Sequence, residues 1–412
     1  INAIARLRMN RMSQVPTSQA PTSPAPTSNV PVTKIPSANC ASNTLDNNTL
    51  DTTSIEPTTL AARLARPELL ELTPYQSARR LGGRGDIWIN ANESPFNNVA
   101  VAELDLSKLN RYPECQPPAL INAYSQYSGV AESKIVASRG ADEAIELLIR
   151  AFCISGIDAI ATFGPTYGMY AISAQTFNVG VKALSLTAEY GLPSDFATAA
   201  RGAKLVFICN PNNPTGTVID KARIEQAIQA LPDAIVVVDE AYIEFCPEYS
   251  VADLLESYPN LVVLRTLSKA FALAGARCGF LLANEGIIEI IMRVIAPYPV
   301  PLPVSEVAVQ ALSPAGIARM KTQVKELNAQ GERLAAALNL YCEQWGGAVL
   351  TPNGNYVLAE FDDVAKVAQL LIDNGIVARA YKDPRLAKAI RFSFSSQADT
   401  DRLVSLFESQ KL

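Results

Sequence analysis

The chain has 412 residues, 49% of them hydrophobic and 18% charged, with a formal net charge of -5. That length provides for two or three domain-sized units around a large core, and the mild negative charge offers no attraction for nucleic acid or an anionic membrane. Histidine is absent, which removes Ser-His-Asp and Cys-His hydrolases, HExxH metalloproteases and His-ligated metals, and leaves acid-base chemistry to Lys, Tyr, Asp, Glu or a cofactor. Cysteines at 40, 115, 153, 209, 246, 278 and 342 are scattered, odd in number and never spaced C-x-x-C. They read as reduced thiols of a cytoplasmic protein, with no metal site. No apolar run reaches the ~18 residues of a membrane span.

Residues 1–56 differ from the rest. The theme Ala20-Pro21-Thr22-Ser23 returns as Ala25-Pro26-Thr27-Ser28, and such a Pro/Ser/Thr stretch cannot bury enough apolar surface to offset its ordering entropy, so it reads as a disordered arm. Its basic residues Arg6, Arg8, Arg11 and Lys34, with no acid before Asp46, suit an organellar transit peptide as well as an arm or a start upstream of Met9 or Met12. From Glu56 the texture is globular. Short β-branched runs at Lys134–Ser138, Asp158–Phe163, Gly180–Leu184, Lys204–Cys209, Ala234–Val238, Leu261–Thr266 and Gly279–Leu282 alternate with helical patterns such as Asp142–Cys153 and Asp220–Ala230. Continuous apolar runs of this kind predict strands covered on both faces, in an open, mainly parallel α/β sheet. After Pro297, Pro299 and Pro301 a long helix, about Ser313–Cys342, precedes strands at Asn355–Glu360, Val377–Ala380 and Ala389–Phe394, with further helices between and after them. The expected division is an arm (1–56), an N-terminal segment joining a small domain (57–97), a large domain (98–298) and a small α+β domain (299–412).

In open α/β sheets ligands sit at the carboxyl ends of the strands. There the chain places Asn210-Pro211-Asn212-Asn213-Pro214-Thr215-Gly216, Asp239-Glu240-Ala241-Tyr242, Leu267-Ser268-Lys269 with Arg277 eight residues on, and Arg139-Gly140-Ala141-Asp142-Glu143 opening a helix. Taken singly each has an ordinary explanation as a turn, an N-cap or a solvated side chain. Their joint order matches the needs of pyridoxal phosphate (PLP). Its phosphate needs N–H groups of a helix N-terminus and a cation, which Ala141, Asp142, Ser268 and Arg277 supply. Its pyridine nitrogen needs a carboxylate to stay protonated, a role for Asp239. Asn213 and Tyr242 are donors for the ring oxygen, Tyr167 offers an aromatic face, and Lys269 forms the Schiff base and shuttles the proton.

Through NPNNPTG, DEAY and SKAFALAGAR the sequence resembles the fold-type I PLP aminotransferases. Leu72-Thr73-Pro74-Tyr75-Gln76-Ser77, Asn90-Ala91-Asn92-Glu93, Asn110-Arg111-Tyr112-Pro113-Glu114 and Arg139-Gly140-Ala141-Asp142-Glu143 are similar to the histidinol-phosphate aminotransferase family, from about Leu69 to the C-terminus. The resemblance implies a homodimer that converts histidinol phosphate and 2-oxoglutarate to imidazole-acetol phosphate and glutamate in histidine biosynthesis. It implies that Tyr112 reaches the cofactor phosphate of the neighbouring subunit, that Tyr75 and Glu93 lie near the substrate, and that Arg391, with Arg379 and Asn355 nearby, grips the substrate's anion. Guanidinium binds phosphate and carboxylate alike, so two arginines suit one site for both. Where the family continues after this arginine as Ile-Thr-Val-Gly-Thr, the chain has Phe392-Ser393-Phe394-Ser395-Ser396. Two other classes remain open at this point: a different PLP enzyme on the same scaffold (an aromatic aminotransferase or a threonine-phosphate decarboxylase), and a non-catalytic ligand sensor.

Overall fold

A computed structural model describes residues 59–410 apart from 74, 78–81, 99–103 and 106, so the Pro/Ser/Thr arm lies outside the described residues. The first strand, β1, is only Ile87–Trp88. The next seven build one sheet: β2 (Ile135–Ser138), β3 (Ala159–Gly164), β4 (Gly180–Ser185), β5 (Leu205–Cys209), β6 (Ile235–Asp239), β7 (Leu261–Thr266) and β8 (Gly279–Ala283). Their spatial order is β2-β8-β7-β6-β5-β3-β4. Every neighbour pair from β4 across to β7 is parallel, and β8 is antiparallel to both β2 and β7. All seven strands coincide with the predicted runs.

Those runs are apolar throughout because each strand feeds two cores. Val206, Ile208, Val236, Val238, Val263 and Phe280 pack on one side of the sheet, whereas Leu205, Phe207, Val237, Val262, Leu264 and Leu281 pack on the other. Successive side chains point to opposite faces, so a strand covered twice has no polar position to spare. The antiparallel β8 has a consequence for function. Six strands end on one edge of the sheet while β8 begins there, which brings Arg277, two residues before β8, to the same edge as the strand ends.

The remaining strands are β9 (Gly347–Val349), β10 (Tyr356–Phe361), β11 (Ile376–Val377), β12 (Arg379–Ala380) and β13 (Ala389–Ser393). Four of them form the antiparallel order β12-β13-β10-β9, and β11 pairs with β1 in parallel. The helices Pro314–Trp345 and Gln397–Glu408 pack on one another beside this sheet. The N-terminal segment therefore joins the C-terminal elements, with Ile89 N–H donating to the Val377 carbonyl at 2.9 Å and Ser393 N–H to the Ile89 carbonyl at 2.9 Å. The strand expected at Val377–Ala380 is divided: its first half pairs with β1 and its second with β13. Two-residue strands carry no readable alternation, so neither β1 nor the division was visible in the pattern. The helix Leu302–Ala311 was also absent from the expectation; its prolines sit at the N-cap (Pro301) and in the first turn (Pro303), where a missing N–H costs nothing.

The departure Phe392-Ser393-Phe394-Ser395-Ser396 is absorbed locally. Phe394 lies against Gly331, where a Cβ would come within 2.2 Å of its ring. Ser395 donates to Asp399 at 2.6 Å and Ser396 caps the last helix by accepting from the Asp399 N–H.

Candidate active site

A cavity of about 410 Å³ opens at the shared edge, between the strand ends and the β12–β13 ladder. Lys269 lies in its wall, on the turn after β7. Its ammonium donates to the Ala91 carbonyl at 3.3 Å and sits 5.6 Å from the centre of the Tyr242 ring. Burial, with the Arg391 charge in support, pulls the amine down to about 8. A lysine shifted in this way releases its proton more readily than an exposed one, which suits a nucleophile and a proton carrier.

Asp239 ends β6 and is 2% exposed. One carboxylate oxygen accepts from the Tyr170 hydroxyl at 2.6 Å and the other from the Ala241 N–H at 3.1 Å. No ion pair among the described residues involves it. Burial raises the acid to about 6, while the Tyr170 bond acts downward. A buried carboxylate with two neutral donors and no cation is unfinished without a positive ligand. This is the observation that fits the chain to a protonated pyridine nitrogen.

Tyr242 accepts from Asn92 Nδ2 at 3.1 Å and from Asn213 Nδ2 at 3.4 Å. Burial holds its phenol above the ordinary value. It stays protonated at neutral pH, and with two donors already facing its oxygen its own proton is free for the cavity. At the other end Arg277 pairs with Asp142 at 3.1 Å and reaches the Ser268 hydroxyl at 3.4 Å. The Asp142 carboxylate also accepts from the Tyr167 hydroxyl at 2.9 Å. Both its oxygens are thus engaged, so the groups here able to hold an anion are the N–H groups opening helix Ala141–Phe152 and the Arg277 guanidinium. Gly140 makes the approach possible: it has φ +83° and a Cβ there would lie 2.8 Å from Arg277 Nη2.

On the facing wall, the antiparallel register sets Arg379 directly opposite Arg391. Arg391 donates to Asn213 Oδ1 at 2.6 Å and to the Asn90 carbonyl at 2.8 Å. Arg379 donates to the Gln76 carbonyl at 3.1 Å, and burial lowers its pKa. The bond from Arg391 to Asn213 also fixes the Asn213 amide, turning its NH₂ towards Tyr242. Arg391, Asn213 and Tyr242 are therefore parts of one hydrogen-bonded chain.

Of the residues named from sequence, Tyr75, Ala141, Asp142, Tyr167, Asn213, Asp239, Tyr242, Ser268, Lys269, Arg277, Arg379 and Arg391 all line this cavity. Asn355 and Glu93 are not on its wall. Asn355 is fully buried and donates to the Asn92 carbonyl at 3.0 Å; Glu93 is half-buried and acts on Lys269 through its charge. Tyr112 is 80% exposed, stacked on Tyr298 at 4.3 Å between ring centres. Sequence reasoning missed Tyr170, Asn92 and Tyr381. Asn92 lay inside the quoted Asn90-Ala91-Asn92-Glu93 stretch, and its left-handed backbone (φ 52°) is one that asparagine tolerates well. Cys209 also reaches the cavity, but burial and the Asp239 charge push its thiol up to about 12, which removes it as a thiolate nucleophile.

The family model for aminotransferase class I and II matches residues 84–407. The chain belongs to the class I and II aminotransferases. Among curated aminotransferases it is 95% identical over 353 residues to the histidinol-phosphate aminotransferase of Shewanella oneidensis, covering 86% of this chain and 90% of that protein. The solved histidinol-phosphate aminotransferase of Sinorhizobium meliloti, in complex with pyridoxal-5'-phosphate, superposes with a TM-score of 0.74 at 22% identity, over 86% of this chain and all of that one. A threonine-O-3-phosphate decarboxylase of Porphyromonas gingivalis superposes at 0.65 and 17% identity, over 79% of this chain and 99% of that one. The shared scaffold therefore establishes the aminotransferase fold without choosing the substrate.

Proposed function

We infer that the chain holds pyridoxal phosphate and transfers the amino group of L-histidinol phosphate to 2-oxoglutarate, yielding imidazole-acetol phosphate and L-glutamate in two ping-pong halves. The observation that carries this reading is the facing of a buried Lys269 with a lowered pKa and a buried Asp239 without an ion pair by two arginines set opposite each other. When bound, the cofactor supplies an aldehyde and a ring able to take up an electron pair. Asp239 would hold the proton on the ring nitrogen, and Tyr242 and Asn213 would donate to the ring oxygen. The N–H groups of Ala141 and Asp142, with Ser268 and Arg277, would hold the phosphate. Lys269 Nζ would bond the cofactor between turnovers and, released by the substrate amine, carry the α-carbon proton. Arg379 and Arg391 would take the phosphate of one substrate and a carboxylate of the other in turn.

On this reading residues 98–298 hold the cofactor and residues 299–412, with 57–97, supply the substrate side, in a cytoplasmic enzyme. Purified protein should show a near-visible band that shifts with histidinol phosphate and returns with 2-oxoglutarate. A band unmoved by histidinol phosphate but shifted by phenylalanine or threonine phosphate would give the substrate to those classes.

The exposed Tyr112, stacked on Tyr298, suits a homodimer in which it completes the partner's phosphate site. Sedimentation at assay concentration should give a dimer, and Tyr112→Ala should weaken cofactor binding by about tenfold, the scale of one lost hydrogen bond to a charged group. A fully active monomer would end that assignment.

A further inference from the structure

Side chains two residues apart on an extended chain share a face. Tyr381, two residues beyond Arg379, lines the same cavity as Arg379 and Arg391, and its ring centre lies 5.7 Å from Arg379 Cζ. Around this point Arg391 Nε is sealed from solvent without a hydrogen-bond partner among the described residues, and the equally sealed Arg379 Nη1 and Tyr381 hydroxyl belong to side chains that face each other. The other guanidinium bonds are already committed, to Gln76, Asn90 and Asn213. Buried donors left unpaired are destabilising. Sealed donors with so few partners around one cavity match a ligand group with several acceptor oxygens.

We propose that the Tyr381 hydroxyl is a third donor of the anion subsite and favours a phosphate monoester over a carboxylate there. A carboxylate presents two oxygens in one plane, which two guanidinium groups can satisfy. A phosphate monoester presents three terminal oxygens in a tetrahedral array, so the third needs a donor outside that plane. A neutral hydroxyl provides it without adding charge that would tighten both ligands equally. This rests on the reading that the cavity takes a phosphate substrate and a dicarboxylate in turn, and it names the residue that separates them.

The test is Tyr381→Phe in the cofactor-loaded enzyme, with methyl phosphate and glutarate titrated separately by calorimetry. The expected result is about tenfold weaker methyl phosphate binding, with glutarate changed less than twofold. In turnover, the KM for histidinol phosphate should rise by a similar factor and that for 2-oxoglutarate should not. The hydroxyl also interacts with the Arg379 guanidinium, so the glutarate titration and a melting curve of the variant separate a lost phosphate contact from a disturbed site. Equal weakening of both ligands, or unchanged methyl phosphate affinity, overturns the assignment. Wild-type protein that binds methyl phosphate in this Tyr381-dependent way but never turns over histidinol phosphate would count against the proposed function alone.

Discussion

Lys269→Ala is expected to lower transamination by at least about 10⁴-fold, because one side chain both bonds the cofactor and carries the proton. The near-visible band of the purified protein should vanish with it. The same substitution should leave the unloaded protein at least as stable at pH 7. Burial brings the folded-state amine to about 8 from an ordinary value of 10.5. Between those values the unfolded chain binds more protons, so stability rises with pH through that window and is lowest below it. Removing the amine removes that cost. Assays, absorption spectra and melting curves of the variant check all three; residual activity within a hundredfold of wild type would remove Lys269 from the chemistry.

Asp239→Asn is expected to cost about 10²–10³-fold in rate, the scale of losing one preorganised electrostatic partner. It also carries a pH signature. In the unloaded wild type the carboxyl titrates near 6, held up by burial. Above that pH the carboxylate is charged and can hold a ring-nitrogen proton; below it the charge is lost, so cofactor affinity should fall as pH drops through about 6. The asparagine variant should bind weakly throughout and show no break there. Stability of the unloaded protein runs in the opposite sense. A carboxyl raised from 3.8 to about 6 binds more protons folded than unfolded, so its contribution falls as pH rises through that interval. The asparagine variant should therefore melt higher at pH 7. A wild-type affinity flat between pH 5 and 7 would count against this role for Asp239.

Both variants rest on the same physics. The unloaded site holds an amine and a carboxylate in surroundings that oppose their charges, without pairing one to the other. Such arrangements reduce stability and persist where a ligand completes them. The sealed donors of Arg379, Arg391 and Tyr381, short of partners at the facing wall of the cavity, follow the same pattern.

The part of the molecule that could be read from the chain is the part whose signals are local. The seven strands of the main sheet were legible because each must bury both faces. The residues gathered at the sheet edge were legible because Lys269, Asp239, Asn213 and Tyr242 follow strand ends and Arg277 lies eight residues beyond Lys269, so chain order and sheet edge placed them together. The rest depended on how distant segments pack. Tyr170 reaches Asp239 from a helix after a different strand, Asn92 reaches Tyr242 across 150 residues, and Tyr381 joins the anion subsite because β12 pairs with β13 in one register. No short-range pattern encodes those meetings. They depend on which surfaces pack, and on where buried polar atoms must find partners once the chain has closed around them.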